Sequence, residues 1–492
     1  MLKKKESIIK DTVIYSASNY VSLFIGFFVS VLMKRFLGPM GAGYWALINV
    51  IRSYGGYFGL GVKKALNREI PQSIGAGKPK LAKEYQDAAF SFLLLSAFCG
   101  AVFIFILSYF LFDNANARTA TKIAALLVLS MHMYNLVLTI LRSRRKFSLI
   151  GRVIIANSIF VLIFAVPGAY FLNIRGVALG MVISTASTFF LAKKWAGLKF
   201  SLDFDWQKIG RLIGIGSPML LLGMLFTTFI NIDRIMIGKM LGMQMLGLYS
   251  IAIMSITHLD SLPKFFNIVI FPHIQENYGA TNDILASKNL ILKSIYFVTR
   301  LVPFILGLII FGVQLLVYYV LPQFKGGLGA MNILVFGYFF MVVNHASTNV
   351  IYTINKQRKL IPFYAVSVCF SIALNYLFIK AGFGIRGVAL ATAISYLIFY
   401  LVNFSYALKH IISWGKLLRL HAEIAGYFIY FLAGIVTINR FVILNNMLLE
   451  TIIRVVCLVV LTLPVFIEIQ VRERFFSLLF ASISPYFTRK KV

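Results

Sequence analysis

Seven ionisable residues stand inside otherwise apolar stretches of this chain: Arg52, Asp233, Arg234, His258, Asp260, Lys264 and Arg300. A charged side chain at the centre of a membrane helix costs about 2.5–3.5 kcal/mol on insertion scales, so it faces a wet cavity or a partner. Bases outnumber carboxylates four to two, which suits the binding of an anion. Arg52, Arg234, Lys264 and Arg300 are the candidate substrate-binding residues, with Asp233, His258 and Asp260 as coupling groups or charge partners. Arg52 lies near the middle of its span, with no acid there to neutralise it. Asp260 and Lys264, four residues apart, share a helix face and can pair, and Pro263 between them frees a backbone carbonyl. Asp233 and Arg234, being adjacent, diverge around the helix, so each needs another partner. Arg300 is close enough to the inner end of its span to snorkel or to face a cleft. No catalytic residue and no metal site is expected.

The elements that must position these charges are membrane spans. The chain is 60% hydrophobic and only 13% charged, far from the ~25% charged residues of a soluble domain. Apolar runs of about 20 residues recur, each long enough to cross a ~30 Å hydrocarbon layer as a helix. The expected fold is all-α and polytopic, with about fourteen spans arranged as six, six and two. The assignment is a lobe over 1–197, a cytoplasmic linker over 198–207, a second lobe over 208–412, two further helices over 413–470 and a basic tail over 471–492. With the N-terminus inside, Lys and Arg of the short loops favour the inner side about three to one, so both termini are expected in the cytoplasm.

Two six-span lobes follow from an internal repeat. Ile174-Arg175-Gly176-Val177-Ala178-Leu179 recurs unchanged as Ile385-Arg386-Gly387-Val388-Ala389-Leu390, and Arg35-Phe36-Leu37-Gly38 followed by Gly43-Tyr44 is echoed by Lys239-Met240-Leu241-Gly242 followed by Gly247-Leu248-Tyr249. An even number of spans per repeat makes the repeats parallel, related by an axis along the membrane normal. Two such lobes can enclose a cleft that opens to alternate sides.

Other readings of the composition fail. A net charge of +32 would suggest nucleic acid in a soluble protein, but here it is spread through loops on one membrane face, where anionic lipid attracts it. The first apolar run lacks a small-residue cleavage site and reads as a retained span, with Gly41-Ala42-Gly43 as a tight outer turn. Cys99, Cys369 and Cys457 are isolated within spans and read as packing residues. Lys63–Asp87 reads as a basic inner loop turning at Gly75–Pro79, unlike any phosphate loop. Arg472–Phe487 suggests an in-plane interfacial helix.

Asn231-Ile232-Asp233-Arg234-Ile235-Met236-Ile237-Gly238, followed by Leu241-Gly242 and Gly247-Leu248-Tyr249-Ser250, resembles the start of the second half in bacterial polysaccharide flippases. Arg35-Phe36-Leu37-Gly38-Pro39, Gly41-Ala42-Gly43-Tyr44-Trp45 and both Gly-Val-Ala-Leu repeats look like that family too, the Wzx-type branch of the multidrug, oligosaccharidyl-lipid and polysaccharide exporter superfamily. The resemblance covers about residues 10–410. It implies movement of an undecaprenyl-diphosphate-linked oligosaccharide from the inner to the outer leaflet of the bacterial inner membrane, for surface polysaccharide such as O-antigen. Implied partners are the lipid-linked oligosaccharide, membrane lipids, and a polysaccharide polymerase or glycosyltransferases, with no nucleic acid. No cofactor is implied, although Asp233, Asp260 and His258 could add proton or sodium coupling. Lipid II flippases of the superfamily have fourteen spans, which the two C-terminal helices could match, so a lipid II flippase stays open as an alternative that span number does not settle.

Two rival functions are weaker. A cation-coupled multidrug antiporter would need intramembrane anions to hold organic cations, and bases predominate here. A membrane glycosyltransferase or polymerase would need catalytic acids in a sizeable outer loop, whereas Asp113 and Glu450 are the solitary acids of short ones.

Overall fold

Two residues interrupt the longest apolar runs. In the computed structural model, which describes the backbone of residues 2–111, 114–259 and 261–473, helix α1 (Leu2–Gly55) is broken at Gly38, with φ 64°, just before Pro39. Side chains are described for these residues except 2–13, 218, 219, 258, 261–269, 272, 346 and 469–473. The first turn therefore falls at Gly38 and not at Gly41–Gly43, because a left-handed residue followed by a ring without an N–H is what ends the helix. Gly41 and Gly43 are already helical.

The remaining helices are α2 (Val62–Gly75), α3 (Pro79–Leu111), α4 (Ala115–Ser143), α5 (Phe147–Ala196), α6 (Trp206–Gly216), α7 (Pro218–Met240) and α8 (Met243–Leu259). There follow α9 (Ser261–Thr281), α10 (Lys288–Tyr319), α11 (Leu328–Thr353), α12 (Leu360–Lys380), α13 (Gly384–Leu408), α14 (Trp414–Phe441) and α15 (Met447–Glu473). Among the described residues, 11 segments are long and apolar enough to cross a membrane, two of them 46 and 50 residues long. The protein is a multi-pass, all-helical membrane protein. The 50-residue segment is α5, which folds back at Asn173, where φ is 54°. Its two arms run antiparallel, because Gly168 meets Gly176 and Gly180 meets Phe164 with no room for a Cβ between them.

The sequence repeat has a backbone counterpart. Gly242 between α7 and α8 has φ 90°, and Gly384 at the start of α13 has φ 55°, at the positions matching Gly38 and Asn173. Both repeats thus turn on left-handed residues at equivalent points.

The helices group into two compact units, Met1–Ser250 and Ile251–Val492, so the division falls within α8. These units differ from the lobes drawn over 1–197 and 208–412, because α7 packs against α1. The Lys63–Asp87 segment is helical apart from a turn at 76–78. Helix α2 buries Val62, Ala65, Leu66, Glu69, Ile70 and Ser73, a spacing of three and four residues that forms one face. Its charged opposite face hides it from a hydropathy reading. Ile209 and Leu212 of α6 join the same core.

The linker is fastened to α3 along its length. The Lys199 carbonyl accepts from Lys83 at 2.7 Å and from Gln86 at 3.2 Å. Phe200 stacks on Phe90 with centroids 4.7 Å apart, and the Asp203 N–H donates to Ser91 at 2.7 Å. Asp205 caps α6, and Lys208 bridges Asp205 and Glu84 at 2.7 and 2.9 Å. Those hydrogen bonds hold the Lys208 ammonium above its usual range.

In the second unit the hairpin of α14 and α15 is clamped to α10 at two levels. At one level Arg300 donates to Glu468 at 3.1 Å, and Tyr427 donates to the other Glu468 oxygen at 2.5 Å. At the other Arg454 pairs with Glu450 at 2.5 Å and donates to Gln314 at 3.0 Å and to the Val442 carbonyl at 3.0 Å. Gln314 lies about 21 Å beyond Arg300 on α10, and Glu468 about 21 Å beyond Arg454 on α15, so the two rungs match on antiparallel helices. Glu450 is therefore a buried ion-pair partner, not a solitary loop acid. Arg454→Ala should cost about 3–5 kcal/mol by leaving Glu450 charged and buried. A fall in the thermal-aggregation midpoint of the detergent-solubilised protein measures this; an unchanged midpoint would mean the clamp is dispensable.

Candidate functional site

Arg52 lies in the last turn of α1. The helix gives way at Gly55 to a 3-10 turn over Gly56–Gly59 and then to left-handed Leu60 and Gly61. Counted from the Gly38 break at 1.5 Å per residue, Arg52 is about 21 Å down. Its guanidinium is half-buried and reaches Met131 Sδ of α4 at 3.7 Å. That thioether is its single hydrogen-bond partner among the described residues, and no carboxylate there pairs with it. The negative end of the helix dipole partly compensates the charge.

Trp45, Asn49, Arg52, Ser53 and Gly56 share one face of the helix, with Ser53 and Gly56 exposed. Asn49 and Ser53 turn back to the carbonyls of Trp45 and Asn49, a common way to hold polar side chains in a membrane helix. This polar stripe with an unneutralised cation is what an anionic headgroup requires.

The other side of the helix is a seam with α7 and α8. Tyr54 donates to Thr228 at 2.9 Å, and Tyr57 donates to the Gly223 carbonyl at 2.5 Å and meets Thr227. At 100° per residue Tyr54 is roughly 160° round from Arg52, so the seam and the polar stripe are separate surfaces. Near the Gly38 break Gly43 and Gly247 cross so closely that a Cβ on either would fall 1.8 or 1.6 Å from the opposing carbonyl oxygen, Met243 or Pro39. The seam tyrosines were not singled out in the sequence; their i, i+3 spacing opposite Thr227-Thr228 was the available signal.

Asp233 and Arg234 diverge, each with its own partner, as adjacency requires. Buried Asp233 accepts from Tyr249 of α8 at 2.7 Å, and Arg234 donates to Asn231, one turn back, at 2.6 Å. Arg234 Nε is buried without a hydrogen bond. Arg52, Asp233 and Arg234 all belong to the first compact unit. Arg300 belongs to the second, where Glu468 neutralises it and Tyr296 and Tyr427 flank it at 5.4 Å. Its surroundings are those of a structural clamp. Asp260 lies outside the described residues, as do the side chains of His258 and Lys264 and the tail from 474 onward.

Of the polar residues within spans, Asn157 links the two arms of α5 through Thr188 at 3.1 Å, and Asn344 of α11 accepts from Asn403 of α13 at 2.7 Å. His132 and Asn375 bond to carbonyls of their own helices. Beyond the spans, at the start of α2, burial pulls the Lys63 ammonium down to about 8 and also lowers Lys64. No group of three or more His, Cys, Asp or Glu able to hold a metal occurs among the described residues.

Comparisons with known proteins bear on this arrangement. The family described as "Polysaccharide biosynthesis protein" matches residues 32–323. A Shigella flexneri protein named for O-antigen transport is 21% identical over 376 residues, covering 74% of this chain and 88% of that protein. A structure of the lipid II flippase MurJ in an inward closed conformation superposes with a TM-score of 0.68 at 15% identity, covering 94% of this chain and 100% of that one. An inward-facing multidrug resistance MATE transporter of the MOP superfamily gives 0.58 at 15% identity, over 82% of this chain and 95% of that one. At such identities the two structures establish likeness of fold.

Proposed function

We propose, from the premise that this chain belongs to the polysaccharide biosynthesis protein family, that it is a flippase for a lipid-linked oligosaccharide. The cargo is an undecaprenyl-diphosphate-linked glycan, moved from the inner to the outer leaflet of a bacterial inner membrane by alternating access, for surface polysaccharide such as O-antigen. The observation that carries this reading is Arg52, a guanidinium without a carboxylate partner among the described residues, on a polar stripe inside an apolar bundle.

A lipid diphosphate carries about two negative charges, and its passage through hydrocarbon needs compensating charge, which a fixed guanidinium provides without being transported. Arg234, half satisfied by Asn231, is the second candidate cation. With an inside-negative potential the outward step is itself favourable by about 2.3 kcal/mol per charge per 100 mV. Asp233 is the candidate coupling group for H+ or Na+, and no resident cofactor enters the cycle. The fourteen-span topology receives support from α1 and α5, which each cross twice if their breaks are turns, and from α8 and α9 taken as one further crossing.

Complementation of strains lacking a single flippase, each with a defined surface glycan, tests the function. Restoration of an O-antigen-type glycan supports it. Rescue confined to the strain lacking its lipid II flippase would move the assignment to peptidoglycan precursor, and failure in all strains would remove it. Topology is tested by single cysteines in a chain freed of Cys99, Cys369 and Cys457. Asn116→Cys, Lys325→Cys and Asn446→Cys should react with an impermeant reagent in intact cells, and Lys78→Cys, Ser148→Cys and Lys356→Cys only after permeabilisation. Reaction of Lys78→Cys in intact cells would invert the assignment.

A further inference from the structure

The first unit contains a cavity of about 730 Å³ between the second segment of α1, α3 and α7, lined by Ile51, Tyr54, Phe58, Phe92, Cys99 and Leu220 among others. That volume is within the ~300–1,000 Å³ typical of ligand sites. Its walls are almost wholly apolar. The two tyrosines that line it spend their hydroxyls on α7, through Thr228, Thr227 and the Gly223 carbonyl. Leu60, Leu95, Phe103 and Met224, also in the wall, are each more than 40% exposed, so the cavity opens at an apolar surface of the first unit. Arg52 is on another face of its helix and takes no part in the lining.

A cation stands near one of the lining residues. A Cβ on Gly223 would lie 3.4 Å from Tyr57 Oη and 3.8 Å from Lys64 Nζ, which puts the Lys64 ammonium near the hydroxyl of Tyr57. Lys64 belongs to the first turn of α2, where the chain leaves its membrane segment. A cation at headgroup depth below a chain-sized apolar slot is complementary to an anionic lipid of the inner leaflet, with its phosphate at the lysine and its chain alongside α3.

We propose that this cavity is a loading site for the polyprenyl chain of the diphosphate lipid in the inner leaflet, engaged with Lys64 before the headgroup reaches Arg52. The inference rests on the flippase reading and adds to it a place for the lipid chain. It also separates two tasks on one stretch of α1, with chain capture on the α3 and α7 sides and headgroup compensation on the polar stripe.

The test uses the full chain in liposomes and a photoactivatable prenyl diphosphate with its benzophenone on the chain. Cross-links are expected on α3 between Phe92 and Leu107 and at Met224, competed by undecaprenyl diphosphate and not by phosphatidylglycerol. Leu95→Trp with Met224→Trp, which fill the slot, should weaken capture about tenfold, the effect of losing some two buried methylenes. Lys64→Glu should weaken capture of the diphosphate while leaving that of the uncharged prenol unchanged. Equal competition by phosphatidylglycerol would mean that an ordinary phospholipid chain occupies the cavity, and cross-links confined to α14 and α15 would put the chain elsewhere; either overturns the proposal. Flipping of the lipid-linked glycan is scored separately on the same liposomes. Intact flipping without cavity cross-links defeats this site alone, and absent flipping defeats the function.

Discussion

Arg52→Ala should abolish outward movement of the lipid-linked glycan while the protein still inserts and accumulates. Truncating one partner of a desolvated charged contact typically costs about 2–5 kcal/mol, which lowers the rate at least about thirtyfold if the contact is made in the step that crosses the membrane. Arg52→Glu should be as severe, because it repels the diphosphate. Arg52→Lys should retain part of the activity, since compensation needs charge more than the planar fork, although a bidentate contact to phosphate would be lost. The measurement is outer-leaflet exposure of the glycan, read by a lectin, with protein quantity determined in parallel. Wild-type exposure from stably expressed Arg52→Ala would remove Arg52 from the site. Its hydrogen-bond partner, Met131, offers an internal control. Met131→Leu keeps the packing and removes only a weak sulfur acceptor, so it should change transport little.

The second large effect is expected at the glycine crossing. Gly43→Val or Gly247→Val would place carbon within 1.8 or 1.6 Å of a backbone oxygen, a contact no rotamer relieves. The helices must separate, at a cost of at least the ~1–3 kcal/mol of ordinary overpacking. In a bilayer no hydrophobic force pulls them back, because close backbone approach is itself what holds such helices together. Either variant should lose both accumulation and transport. The double variant should cost less than the sum of the two, since one separation accommodates both side chains. Gly26→Val, at a helix position with nothing within 4 Å of its Cβ, is the matched control. Normal accumulation of Gly247→Val would show that the crossing is not formed in the membrane.

Much of this architecture is legible from residue order. Left-handed turns at Gly38 and Gly242 fall where the repeat aligns them, and the divergence of Asp233 and Arg234 follows from helical geometry alone. The turn was nonetheless expected at Gly41–Gly43. Glycine does two jobs in that stretch, a left-handed bend at Gly38 and a close approach at Gly43, and composition does not say which is which. Helices α2 and α6 were missed because hydropathy averages their buried faces with their charged ones. Arg300 and Glu450 read as free charges for a different reason. The partner of Arg300, Glu468, lies on another helix far along the chain, and spacing carries no information about such a contact. Glu450 is different, because Arg454 stands four residues on in the same helix, a pairing that spacing does offer; only its extension to Gln314 crosses to α10. Arg52 has Met131 as its hydrogen-bond partner among the described residues and stands three residues before the end of α1, a boundary that hydropathy does not mark because the apolar run continues to Gly59.

The stitched linker has a mechanical consequence. Ten free residues would behave as a slack tether of about 16–19 Å root-mean-square span, able to absorb any tilt of α7 without disturbing what precedes it. Here the segment is bonded to α3 at Lys199, Phe200, Asp203 and Lys208, and α6 runs into α7 with only Ser217 between them. No slack is left. Helix α6 becomes a crank arm, and an inclination of α7 in the bilayer is delivered as torque on the end of α3 that carries Lys83 and Glu84.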